Sequence, residues 1–137
     1  CADAALIPNA VEEILRYNSP QTSWRRVATQ DTELAGYEIP AGTQIFLSLG
    51  SANHDEALFD NPETFDIHRD NARANIAFGR GIHFCLGKRL AIIEATISLE
   101  TLTQRIPSLD LVADQRYDFF PKFTFRGPKE LWLTWQA

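Results

Sequence analysis

Phe78-Gly79-Arg80-Gly81-Ile82-His83-Phe84-Cys85-Leu86-Gly87 sets a single cysteine inside a glycine-punctuated loop, directly ahead of an apolar helical repeat. Leu86, Leu90, Ile93 and Ile97 come at intervals of four, three and four, the spacing of one helix face, and predict a helix that begins at or just after Cys85. Cysteine ligates metal as the thiolate, and the unpaired amides of a helix N-terminus favour negative charge there. Gly79, Gly81 and Gly87 allow unusual backbone dihedrals and leave room for a flat group or amide donors beside the sulfur.

Two cysteines in 137 residues fit neither a disulfide framework nor a paired-cysteine zinc site. Cys1 belongs to no motif, so Cys85 needs its own account. Most free cysteines are small buried hydrophobes, but the flanking glycines argue against that here. Gly79-x-Gly81 fails as a dinucleotide loop, because the third glycine of that motif would fall on Phe84. A soft thiolate with no second cysteine nearby points to haem iron, whose other ligands come from the macrocycle. A thiol enzyme with Cys85 as nucleophile and His83 as base would lack the third, orienting group.

Upstream, Pro8 to Tyr17 reads as a short helix, with Pro8 near its first turn and Pro20 as a stop just beyond its end. Glu13 and Arg16 share a face of it. An isolated i,i+3 pair of this kind would contribute roughly 0.2–0.5 kcal/mol. Thr22 to Ala28, Tyr37 to Ile39 and Thr43 to Leu49 read as strands, with turns at Gly36 and at Pro40-Ala41-Gly42. Phe119 to Phe125, a turn at Gly127-Pro128 and the alternating Leu131 to Trp135 predict a terminal hairpin.

The stretch Phe78 to Gly87 resembles the haem-ligand loop of the cytochrome P450 haem-thiolate monooxygenases in its bacterial form, with histidine two residues before the cysteine. The resemblance implies that Cys85 is the axial iron ligand and catalytic centre, and that Phe78, Gly79, Gly81, His83 and Gly87 surround a haem b. Arg26 sits where relatives place an arginine that pairs with a haem propionate, and His83 matches a histidine that contacts one. The planar guanidinium suits such a carboxylate. Arg25 reads as a solvated strand charge, and His54 and His68 as surface histidines.

Glu13 and Arg16 match the family's Glu-x-x-Arg helix, and Phe59 to Arg69 is similar to its meander, with Pro62, Phe65, Asp66 and Arg69 matching. Thr64 departs from the pattern, since many relatives carry arginine there. Arg69 is therefore the candidate third member of a buried structural charge network with Glu13 and Arg16. Glu63-Thr64 lies in an irregular loop and is not read as an oxygen-activating acid–alcohol pair.

The fold expected from the resemblance is α+β, the C-terminal part of the mainly helical P450 fold. Residues 1–137 would form a single partial domain without the family's oxygen-activating helix, leaving apolar surface for self-association or for a second segment. The implied activity is hydroxylation of a small organic substrate with O2 and two electrons, the substrate meeting Pro20 to Trp24 and Phe123 to Phe125. The alternative is a truncated, inactive haem-binding or oligomerising fragment.

Composition fits a globular chain: 45% hydrophobic and 23% charged, with a net charge of −5 that gives no reason to expect a nucleic-acid partner. The sign reverses around the cysteine loop, where Arg80, Lys88 and Arg89 gather near His83. That patch suits an acidic ferredoxin or flavodoxin-type electron donor, or is a solvated helix start. No apolar run approaches the about 18–20 residues that span a bilayer and no signal peptide is visible, so a cytoplasmic setting is expected.

Overall fold

The computed structural model describes residues 3–136, which leaves Cys1 outside the described residues. A 3-10 turn, Ala4–Leu6, leads into α1 (Ile7–Tyr17). Pro8 lies in the first turn of α1, where its missing N–H leaves no hydrogen bond unmade. The helix stops at Asn18, whose amide donates to the Ile14 carbonyl, two residues before Pro20. Its inward side buries Ile7, Val11, Glu12, Glu13 and Arg16, so charge and apolar surface enter the interior together.

Two antiparallel ribbons come next. β1 (Ser23–Val27) pairs with β4 (Gln44–Ser48), with Trp24 opposite Leu47 and Arg26 opposite Ile45. Between them β2 (Thr32–Leu34) and β3 (Tyr37–Ile39) form a hairpin whose turn residues Ala35 and Gly36 both have positive φ, 51° and 83°. Two successive positive φ values define the tight hairpin turn that matches strand twist. β2 has no counterpart in the sequence reading, since Thr-Glu-Leu is too short for an alternation to register.

A short helix, α2 (Leu49–Ala52), leads into a meander that is irregular apart from a 3-10 turn at Ala72–Ala74. After the cysteine loop, α3 (Lys88–Arg105) packs against α1, and β5 (Asp110–Leu111) pairs with β6 (Leu133–Thr134). The terminal hairpin differs from expectation in partner and register. Phe119 bridges Pro128 with residues 121–126 looping between them, while the Leu131 to Trp135 stretch returns to Asp110 and Leu111 instead. Alternation identified the extended segment but carries no information about which distant strand it meets.

The apolar core of the described residues is small: Ile7, Val11, Ala28, Leu49, Phe59, Ala72 and Ala77. Beside it lies a buried charge network. Glu13 takes Arg16 in a two-pronged pair, Nε to Oε2 at 2.7 Å and Nη2 to Oε1 at 2.9 Å, and its Oε1 also accepts from Arg69 Nε at 3.2 Å and the Asp66 amide at 2.9 Å. Arg16 spends its remaining donors on the carbonyls of Asn53 and Pro62, both at 2.9 Å, and Thr64 at 3.1 Å. Arg69 reaches the carbonyls of Asp60, Asn61 and Thr64. Phe59 and Tyr17 lie against the Arg16 guanidinium, at 5.3 and 5.7 Å. Thr64 thus enters through its backbone oxygen, which both arginines share.

Burial pushes the Glu13 carboxyl up, but Arg16, the Asp66 amide and Arg69 together outweigh it and hold the group below its ordinary pKa. A depressed folded-state pKa makes the contribution complete above the unfolded carboxylate value of about 4.3 and lost as pH falls toward the folded one. Acid titration of stability should therefore show a loss below about pH 4.3 that is blunted in Glu13→Gln. Arg16→Met removes the two-pronged partner of a buried carboxylate and leaves it only Arg69 and the Asp66 amide, and urea unfolding should register a loss of about 3 kcal/mol against the parent chain.

Candidate functional site

The cysteine loop is placed by polar side chains from both preceding helical segments. Asn53, wholly buried at the end of α2, accepts the Ile76 amide on its Oδ1 at 2.8 Å. Asn75 donates to Glu12 Oε2 at 3.0 Å and accepts the Ala77 amide at 3.2 Å. Asn9 of α1 donates to the carbonyls of Ile67 and Arg69 and so ties the meander to the same helix. These three asparagines and Glu12 were not legible as site residues, because isolated amides carry no spacing signature.

From Phe78 the chain turns back on itself. Gly79 and Gly81 adopt φ of +74° and +73°, the left-handed region. The Cys85 amide donates to the Phe78 carbonyl at 3.0 Å and closes the loop, and the Lys88 amide donates to the Cys85 carbonyl at 3.3 Å where α3 starts. The helix thus begins three residues after the cysteine. A Cβ at Gly87 would lie 3.9 Å from Cys85 Sγ, so any side chain there would cover one flank of the sulfur.

Cys85 is exposed and lies at the junction of two open clefts. One, of about 450 Å³, is bounded by Leu15, Pro20, Trp24, Ala77, Phe78, His83 and Ala91; the other, of about 700 Å³, by Glu12, Phe84, Leu86, Lys88, Arg89, Ile92 and Ile93. His83 and Cys85 share the first. Arg26 is two residues beyond Trp24 on β1 and hence on the same sheet face, while Arg25 alternates to the other face and is exposed. Arg26 Nη1 donates to the Arg25 carbonyl at 2.8 Å.

The two segments expected to meet substrate are brought together. The Thr22 amide donates to the Thr124 carbonyl at 2.9 Å, Gln21 bridges Phe125, and Phe123 packs on Phe46 with centroids 5.1 Å apart. His68 is exposed as expected. His54 is half-buried, with Nδ1 3.0 Å from the Gly50 carbonyl and its ring 5.7 Å from Tyr17, a packing role rather than a free surface one.

A planar macrocycle with an iron centre suits this donor set. One exposed cysteine lines an apolar cleft, and no group of three or more His, Cys, Asp or Glu able to hold a bare metal ion occurs among the described residues. A lone thiolate needs a metal that brings its other ligands with it.

Comparison with known proteins agrees with this chemistry. The family model described as Cytochrome P450 matches residues 2–122, and the chain belongs to that family. It is 47% identical over 131 residues to the biotin biosynthesis cytochrome P450 of Bacillus subtilis strain 168, covering 96% of this chain and 33% of the relative. Against the steroid C26-monooxygenase of Mycobacterium tuberculosis strain CDC 1551 / Oshkosh it is 46% identical over 112 residues, 82% of this chain and 30% of that one. The crystal structure of an Acinetobacter radioresistens P450 heme domain superimposes with a TM-score of 0.96 at 43% identity, over 99% of this chain and 33% of that one. The chain spans about a third of the length of these relatives. Family membership implies a haem cofactor. No helix among the described residues is long and apolar enough to cross a membrane.

Gly81 has open space around its Cβ position, so its requirement for glycine is purely conformational. Gly81→Ala should lower stability by about 1–2 kcal/mol through the left-handed φ alone, read as a shift in the urea midpoint.

Proposed function

We propose that this chain forms the thiolate side of a haem monooxygenase active site, with Cys85 as the axial ligand. The observation that carries the reading is an exposed Cys85 lining an apolar cleft, in a loop closed by its own amide on the Phe78 carbonyl. When bound, haem supplies oxygen activation, and electron donation from a thiolate favours cleavage of the O–O bond. The chain's own residues orient and shield. Arg26 and His83 would hold the propionates, Phe78 and Ala91 wall the cleft, and Gly79, Gly81 and Gly87 would leave room beside Cys85 for a bound macrocycle. Glu13, Arg16 and Arg69 act structurally, fixing α1 and the meander beneath the loop.

The joined segments around Thr22 and Thr124 supply substrate contacts, and the aromatic character of Trp24, Phe123 and Phe125 suits a small apolar organic substrate. Oxidation of this kind draws two electrons from an acidic ferredoxin or flavodoxin-type donor, steered by exposed cations near the loop, Arg80 and Arg89. A cytoplasmic setting accords with such a donor.

A second reading has its own support. Leu86, Leu90, Ile93 and Ile97, the periodic face that announced α3, are all exposed, and α3 buries no residue at all. A contiguous apolar face left uncovered has the character of an interface. Residues 1–137 are accordingly a partial domain, whose uncovered face is completed by the parts of the fold that its relatives carry, or which self-associates without catalysis.

Haem titration followed by dithionite and carbon monoxide decides between them. A strongly red-shifted ferrous-carbonyl Soret band, abolished in Cys85→Ser, is the expected result. Hydroxylation should then appear only when the region that precedes the Glu-x-x-Arg helix in a relative is supplied in trans. Absence of haem uptake under both conditions would leave the oligomerising fragment.

A further inference from the structure

We propose that Lys88 is a positioning residue for the haem-ligand loop, a cationic clamp rather than a member of the donor-docking patch. The local rule for helices runs against it: α3 opens on Lys88 and Arg89, two positive charges in the turn where the helix dipole favours negative ones. A residue type that offends its own helix end has its reason elsewhere in the fold.

The three cations around the loop are not equivalent. Arg89 is exposed, and Arg80 is exposed with one Nη2 contact of 3.5 Å to the Ala74 carbonyl. Lys88 is half-buried, its ammonium 5.7 Å from the ring centroid of Phe78 and 5.8 Å from that of Phe84. Both distances fall inside the cation–π range. Phe78 supplies the carbonyl that holds the Cys85 amide, and Phe84 is bonded to Cys85 itself. The Lys88 amide closes the circuit on the Cys85 carbonyl.

One side chain therefore ties the first aromatic residue of the loop to the last, across the left-handed Gly79–Gly81 reversal. It also holds a positive charge in the cleft that Cys85 lines, and the cysteine is negative when it holds iron. A fixed cation favours the form of the site carrying the extra electron, so it favours the ferrous state. This second consequence rests on the haem reading; the clamp itself does not.

Two measurements separate them. In the 137-residue chain without haem, hydrogen exchange of the Cys85 amide should accelerate about tenfold in Lys88→Gln and stay near the parent rate in Lys88→Arg and Arg89→Gln. In the haem-loaded protein, Lys88→Gln should shift the ferrous-to-ferric ratio at fixed potential about tenfold toward ferric, which for one electron is about 59 mV. Lys88→Arg should keep the parent potential, and Arg89→Gln should raise the KM for the electron donor without moving it. Phe84→Leu, which removes one ring and leaves the lysine, should reproduce part of the exchange effect. Unchanged Cys85 exchange in Lys88→Gln and Phe84→Leu overturns the clamp. An unchanged potential together with a raised donor KM in Lys88→Gln assigns the lysine to docking and overturns the electrostatic role. A parent chain that never forms the red-shifted ferrous-carbonyl band refutes the haem reading, and the exchange result still decides the clamp.

Discussion

A carboxylate with no exposed surface, held by two guanidiniums, is the constraint on which the rest of this structure depends. Removing charges from water costs several kcal/mol per ion, and that cost is offset only when nearly every donor and lone pair is satisfied. Glu13 meets the requirement by accepting from Arg16, Arg69 and the Asp66 amide, and the arginines by reaching carbonyls of Asn53, Asp60, Asn61, Pro62 and Thr64. Each of those bonds fixes a piece of irregular backbone. The network substitutes for the secondary structure that the meander lacks, and its directional bonds set one geometry where apolar packing would tolerate several.

That geometry is transmitted to the cysteine. Arg16 takes the Asn53 carbonyl, and the Asn53 side chain takes the Ile76 amide two residues before Phe78. Glu12, the neighbour of Glu13, takes Asn75 from the other side. The stretch entering the loop is therefore anchored to α1 and α2 through a short series of buried polar contacts. The loop then needs only two left-handed glycines and the Cys85-to-Phe78 bond to present the sulfur. The exposed Cys85 is placed by side chains of other segments, Asn53, Asn75 and Glu12.

The molecule is two-faced. Around α1 and the meander the described residues bury a small core, while α3 turns Leu90, Ile93 and Ile97 outward and Leu86 stands fully exposed. The chain spans about a third of the length of its relatives, and on the proposed reading these exposed apolar surfaces belong to interfaces with the rest of such a fold.

Much of this was legible from residues near one another in sequence. The glycine-flanked cysteine, the helix of Glu13 and Arg16, the breaks at Pro20 and Gly36, and the strands that became β1 and β4 all rest on local rules of dihedral freedom, periodicity and turn chemistry, which act within a few residues. Arg69 was identified by its motif, although neither its bond to Glu13 nor the sharing of the Thr64 carbonyl is implied by composition or spacing. Only the tertiary structure decided the relations between distant segments. The pairing of β5 with β6 across the terminal region, the contact of Thr22 with Thr124, the asparagine supports of the loop and the outward turn of the α3 stripe are of this kind. Periodicity states that a helix has an apolar side but not what meets that side, and a hydrogen-bonding side chain has no preferred sequence distance to its partner. Those choices are settled by burial and by the pairing of most interior polar groups, which are properties of the folded chain as a whole.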